Sequence, residues 1–248
     1  MATPDSPTAA VRGRIALVSL GCAKNLVDSE RLVGDLQAAG FDLADDLATA
    51  DLALVNTCGF IDPAKEESVD TIIKVTNRKE FGRLRGVMVA GCLVERYRED
   101  LERDIPEVDR WLSFNDYPQV VQSARELMDL PQVRELPPRR VILTPQAYAY
   151  LKVSEGCDQK CTFCAIPGIR GRLASRTIEE NVADARSLAE QGVGEINLVS
   201  QDTTAYGRDL YGKPRLVDLL RELTTIDGPR WWRVLYLYPS ILRDDLLE

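Results

Sequence analysis

The sequence predicts an α/β protein: an N-terminal parallel-sheet domain followed by the first half of a βα barrel. Three observations carry this expectation. Short apolar runs alternate with amphipathic stretches along the whole chain, the pattern of βα units and parallel sheets. Pro131, Pro137 and Pro138 interrupt that alternation, as a connection between two domains would. Three strand-like runs follow the break, too few to close a barrel. We therefore expect a first domain over 1–128, a linker (or a long surface loop) over 129–142, and a partial second domain over 143–248. The rest of the barrel is expected to lie beyond Glu248.

Taken in order, residues 1–14 are polar and proline-containing. They lack the apolar segment and cleavage pattern of a signal peptide and read as a frayed tail. Strands are expected over 15–20, 52–56, 87–90, 148–153, 196–199 and 234–237, and helices over 29–39, 63–75, 94–103, 119–128, 178–191 and 216–226. Pro63 suits a first helical turn, Gly40 and Gly192 follow helix ends, and Thr177 with Glu180 forms a capping box. The charged run over 95–104 reads as a solvated helix face. Apolar runs such as 87–94 are far too short to cross a bilayer.

Composition narrows the chemistry. The net charge is −8 and the isoelectric point is near 4.9. Such a surface repels polyanions and suits a basic protein partner better than nucleic acid. There is no histidine, which removes the commonest general base and the commonest nitrogen ligand together. The chemistry is then not expected to rest on side-chain acid–base work at neutral pH. Six cysteines are too few for a disulfide scaffold, and in the cytoplasm, the expected location, they would be reduced thiols available to metal.

Cys157, Cys161 and Cys164 stand in a C-x3-C-x2-C triplet just after the strand over 148–153. One loop of this spacing presents three thiolates to three irons of a four-iron cluster and leaves one iron open. It also lies at the carboxyl end of the first barrel strand, where barrel enzymes place their chemistry. A zinc site would want a fourth Cys or His, and none is near. Cys22, Cys58 and Cys92 each follow one of the first three strands. A parallel sheet brings the carboxyl ends of its strands to one edge, so a second three-cysteine cluster is expected there.

The segment SEGCDQKCTFCAIPGIRG, with Phe163 before its last cysteine, resembles the signature of radical S-adenosylmethionine enzymes. With SLGCAKNLVDSE, NTCGFIDPAKEES and AGC ahead of it, the chain from Arg14 onward resembles the methylthiotransferase family within them. The strings GCAKNLVDSE, NTCGFID, QDTTAYGRDLYG and LYLYP are most similar to the branch acting on a ribosomal protein, although Ala23 stands where that branch has proline. The tRNA branch would read GCQMN near the first cysteine.

The resemblance implies two 4Fe–4S clusters, on Cys157, Cys161 and Cys164 and on Cys22, Cys58 and Cys92. It implies S-adenosylmethionine chelated by the open iron, with Phe163 packed near the adenine or serving simply as loop packing. It further implies an external electron donor and, as substrate, the β-carbon of an aspartate in the twelfth protein of the small ribosomal subunit. Nucleic acid would be met only through the ribosome or a further C-terminal domain, and no membrane is involved. The alternatives are a tRNA adenosine methylthiotransferase and a non-catalytic electron relay, against which the triplet's incomplete ligand set argues. Arg170, Arg172 and Arg176 are expected to hold the loop or neutralise cluster charge more than to contact ligand. Gln201 and Asp202 end the second barrel strand as plausible cofactor or substrate contacts.

Overall fold

The strands of the first half owe their apolar runs to burial on both faces. In the computed structural model, which describes residues 13–133, 140–239, 242 and 244–247, the chain divides into two units, Met1–Val141 and Ile142–Glu248. Residues 1–12 of the expected tail and 134–139 of the expected linker lie outside the described residues, and Gly13 and Arg14, expected to end that tail, instead open the first strand, paired with Phe41 and Asp42.

In the first unit β1 (Gly13–Ser19), β2 (Phe41–Leu43), β3 (Leu52–Thr57), β4 (Gly86–Gly91) and β5 (Arg110–Leu112) form one parallel sheet in the order β2-β1-β3-β4-β5. Every residue of β3 and β4 is buried, which erases the in–out alternation of a half-exposed strand. The helices α1 (Ala23–Ala38), α2 (Asp62–Phe81), α3 (Cys92–Asp104) and α4 (Val120–Leu127) cover the sheet. Leu32 and Leu36 of α1 and Val120 and Ala124 of α4 pack with Leu52, Leu54 and Met88 on one face. Ile72 and Val75 of α2 and Leu93 and Leu101 of α3 pack with Ala53, Val55, Val87 and Val89 on the other.

Two helices begin earlier than their apolar pattern suggests. α1 starts directly after Cys22 rather than at 29, because its first turns bury polar side chains (Lys24, Asn25, Asp28, Ser29, Glu30) and so carry no amphipathic signal. α3 starts at Cys92 itself. The strands β2 and β5, three residues each, are too short to show a period. Pro63 does sit in the first turn of α2.

The second unit holds β6 (Tyr148–Lys152), β7 (Ser154–Glu155), α5 (Ile166–Arg170), β8 (Ala174–Ser175), α6 (Ile178–Glu190), β9 (Glu195–Val199), α7 (Arg208–Tyr211), α8 (Leu216–Leu223), β10 (Trp231–Val234) and α9 (Asp244–Leu247). Its main sheet is parallel, in the order β10-β9-β6, with β7 and β8 as a small antiparallel pair. Each sheet strand is adjacent to its successor, with α6 and α8 as the crossovers, which is the layout of the first βα units of a barrel. Ala149, Leu151, Ile196 and Leu198 pack against Ala185 and Leu188 of α6 and Leu216, Leu219 and Leu223 of α8. The capping box of Thr177 and Glu180 starts α6, the Thr177 hydroxyl accepting from the Glu180 N–H. The third strand lies at Trp231–Val234 and not at 234–237: its ladder pairs Trp231 with Glu195 and Val234 with Leu198, and Tyr236 leaves the extended region at φ +60°. Among the described residues, no helix is long and apolar enough to cross a membrane.

Candidate metal centres

Cys22, Cys58 and Cys92 lie just past the carboxyl ends of β1, β3 and β4, three neighbours in one sheet. Strand order reverses between β1 and β3, and open parallel sheets bind ligands at that edge and point. Cys22 is the N-cap of α1 and Cys92 the first residue of α3; Cys22 is exposed, Cys58 half-buried and Cys92 buried. The loops touch. A Cβ added to Gly21, itself at φ +90°, would lie 3.2 Å from the Cys58 Sγ, and one added to Gly59 would lie 2.8 Å from the Cys92 carbonyl oxygen. Only glycine permits approaches this close.

Side chains tie the strand ends and the loops together at the last ladder rungs and just past them. The Asn25 amide donates to the Leu20 carbonyl (2.7 Å) and the Thr57 carbonyl (3.2 Å). That of Asn56 donates to the Asn25 carbonyl (2.9 Å) and the Ser29 hydroxyl (2.8 Å). The Thr57 hydroxyl donates to the Ala90 carbonyl at 2.6 Å. Ser68 of α2 accepts from the Cys58 N–H at 3.0 Å.

In the second unit Cys157, Cys161 and Cys164 line a pocket of about 220 Å³ together with Gln159, Phe163, Ile166, Gln201, Asp202, Tyr236 and Tyr238. Phe163 is 87% exposed there. The Cys157 Sγ accepts from the Gln159 N–H at 3.4 Å. Burial pushes its thiol pKa up, and Asp202 and the two neighbouring cysteines add to the rise. The Gln159 amide donates to Asp202 Oδ2 at 2.8 Å and so ties the loop to the end of β9.

Below the loop, Glu155 Oε2 accepts from Lys152 (2.7 Å) and Arg170 (2.9 Å), and its Oε1 accepts from the Gln201 amide at 2.7 Å. Burial pushes the Glu155 carboxyl up, but the two cations and Gln201 outweigh it and hold the pKa down to about 2. Arg170 thus holds the loop, as expected. Arg176 pairs with Asp184 at 2.7 Å, and the exposed Arg172 faces Asp158 at 3.4 Å. Gln201 Oε1 and Asp202 Oδ1 are buried with no hydrogen-bond partner among the described residues.

None of the six cysteines is paired in a disulfide, and among the described residues no three Cys, Asp or Glu side chains form a ready metal-binding group. The donor chemistry nonetheless fits an iron–sulfur group in both places. Each set supplies three thiols and no imidazole, one at a sheet edge with glycine-packed loops, the other around a pocket lined by aromatic and aliphatic side chains. Sequence reasoning missed the ties: Asn25, Asn56 and Thr57 in the first unit, Glu155, Lys152 and Gln159 in the second. Asn56 and Thr57 stand in the NTC string, but nothing in their spacing marks them as buried.

Comparison with known proteins gives the chain's relatives. Residues 14–113 match Uncharacterized protein family UPF0004, and residues 151–248 match the Radical SAM superfamily. The ribosomal protein uS12 methylthiotransferase RimO of Symbiobacterium thermophilum is 46% identical, covering 98% of this chain and 54% of its own length. The protein of the same name from Aquifex aeolicus is 50% identical over 95% of this chain and 52% of its own length. The chain spans about half the length of the curated relatives it matches. In fold it resembles the radical S-adenosylmethionine methyltransferase TsrM from Kitasatospora setae, with a TM-score of 0.61 at 14% identity over 96% of this chain and 58% of that one. The chain belongs to the radical S-adenosylmethionine methylthiotransferase family, in the branch whose curated members are named ribosomal protein uS12 methylthiotransferase.

Proposed function

We propose that this chain is part of a cytoplasmic enzyme that methylthiolates the β-carbon of an aspartate in ribosomal protein uS12. It uses two 4Fe–4S clusters, S-adenosylmethionine and an external electron donor. Residues 1–128 form the N-terminal cluster domain, 129–142 a linker, and 143–248 the radical domain. The observation that carries the substrate is the 46–50% identity to relatives named for uS12. Cys157, Cys161 and Cys164 hold one cluster with an open iron, Cys22, Cys58 and Cys92 hold the other, and Phe163 packs beside the adenine. Bound there, the open cluster and S-adenosylmethionine supply a carbon radical able to take a hydrogen atom from an unactivated C–H bond, which no side-chain base does at neutral pH.

The chain's own residues position and enclose. Glu155, Lys152 and Arg170 anchor the strand from which the triplet loop springs, and the Gln159–Asp202 bond fixes the loop's far side. Ile166, Tyr236 and Tyr238 wall the pocket and keep water from a reactive radical. The acidic surface favours a basic ribosomal protein over tRNA phosphates.

The test uses the full-length enzyme, reconstituted anaerobically and given the small ribosomal subunit and tRNA in one reaction. Mass spectrometry should find one methylthio group on a uS12 aspartate and unmodified tRNA. Methylthio-adenosine beside unmodified uS12 would overturn the assignment in favour of the tRNA reading. Iron should be about eight per chain, falling to about four when either cysteine set is replaced by Ala.

A further inference from the structure

We propose that Asn25, Asn56 and Thr57 are positioning residues that hold the three thiol-bearing loops of the first unit in register for one shared cluster. This rests on the reading that Cys22, Cys58 and Cys92 share a cluster. The three cysteines come from three separate βα loops, so their relative placement is set by whatever joins those loops beyond the sheet. The ladders end at the pairs Ser19–Asn56 and Thr57–Gly91, and a backbone bond from the Leu20 N–H to the Asn56 carbonyl at 2.9 Å reaches one residue further. Side chains supply the rest. Asn25 joins the loop after β1 to the end of β3 through Leu20 and Thr57. Thr57 joins the end of β3 to the end of β4 through Ala90. Asn56 joins the end of β3 back to the first turns of α1 through Asn25 and Ser29.

The order of these ties, β1 to β3 to β4, is the order of the cysteines. Each tie ends within a few residues of a thiol: Leu20 before Cys22, Thr57 before Cys58, Ala90 before Cys92. All three side chains are buried, Asn25 at 1% exposure and Asn56 and Thr57 at 0%. Both hydrogens of each amide are used. Amides and hydroxyls buried this fully beside an apolar sheet cost free energy unless their bonds are made. Apolar side chains would stabilise the same space more simply. What the polar set adds is geometry: directed bonds at the last rungs of the ladders and just past them, where the thiol-bearing loops leave the sheet.

The experiment uses the full-length protein, reconstituted anaerobically, with iron content and electron paramagnetic resonance of the reduced protein as readouts. A Cys22/Cys58/Cys92→Ala variant is measured first, and if it retains all its iron both the shared cluster and this proposal fall. Given that it loses half, Asn25→Ala should also drop from about eight irons to about four, with the signal of the triplet cluster unchanged. Thr57→Val keeps the volume and removes only the hydroxyl. It should lose or broaden the first-unit signal, whereas Thr57→Ser, which keeps the hydroxyl, should restore it. Amide exchange of the apo variants over 13–133 reports the fold. Should Asn25→Ala prove unfolded, the Thr57→Val and Thr57→Ser pair decides alone. Thr57→Val with full iron and a wild-type signal, or Thr57→Ser no better than Thr57→Val, overturns the proposal.

Discussion

Glu155→Gln tests how far one carboxylate supports the triplet loop. Its Oε2 serves two cations, Lys152 at 2.7 Å and Arg170 at 2.9 Å. Those side chains are 8% and 2% exposed, while Glu155 itself is 32% exposed. Glutamine keeps the shape and one carbonyl acceptor but removes the charge, and its NH2 group then faces a cation or the donating amide of Gln201. Two charge-assisted bonds are worth about 1.5–3 kcal/mol each. The retained carbonyl and the solvent reaching Glu155 reduce the loss to about 2–4 kcal/mol. For a unit of this size that corresponds to a fall of about 10–20 °C in the melting of the second unit. Calorimetry of the whole chain, with amide exchange to assign the transitions, reads this directly. Lys152→Met in the same background should recover part of the loss, because one stranded cation is removed. A Glu155→Gln protein melting within two or three degrees of wild type would refute the argument.

Two further predictions concern the first unit. Asp51 Oδ2 accepts from the Arg14 N–H and its Oδ1 from Arg83, both at 2.8 Å; burial raises its pKa, but these bonds outweigh burial and hold it below 3.8. A depressed carboxylate stabilises the fold above its unfolded pKa and loses that support as pH falls through the folded value. Asp51→Ala should therefore lower protection of the 13–57 amides by about 2 kcal/mol at pH 7, and by progressively less below pH 4. Gly59→Ala drives a Cβ to 2.8 Å from the Cys92 carbonyl oxygen and the Leu93 Cα; neither backbone atom can rotate away. It should cost about 1–3 kcal/mol in urea unfolding and lower the iron bound by the first unit.

Much of the fold was legible because of where its strands are buried. LALVNT and GVMVAG are covered on both sides, so they stand out as apolar runs, and the cysteines after them fall at strand ends by simple counting. The first turns of α1 were not legible, since Asn25, Asp28 and Glu30 are buried polar residues that mimic a solvated loop in any hydrophobicity pattern. The shift of the third barrel strand has a similar cause. Trp231 and Arg233 are exposed while Trp232 and Val234 are half-buried, so the more apolar LYLYP string drew the prediction past the true ladder. Spacing marked the six thiols, but the ties around them join residues distant in sequence, such as Glu155 with Gln201 and Gln159 with Asp202. No local pattern encodes such pairs.

The two thiol sets differ in what they ask of a folding chain. Cys157, Cys161 and Cys164 sit within one short loop, so even an unfolded chain can wrap them around iron at small entropic cost. Cys22, Cys58 and Cys92 lie roughly 35 residues apart along the chain, and two large loops must close before they meet. They reach one sheet edge only after β1, β3 and β4 have paired, a slow non-local event in parallel sheets. A cluster held by the dispersed set therefore binds the native state almost exclusively, and its whole affinity appears as stability of the first unit. One held by the triplet also binds the unfolded chain and returns less. Stripping iron with a chelator should loosen the first unit far more than the second, and biosynthetic loading of the dispersed set must wait for the sheet.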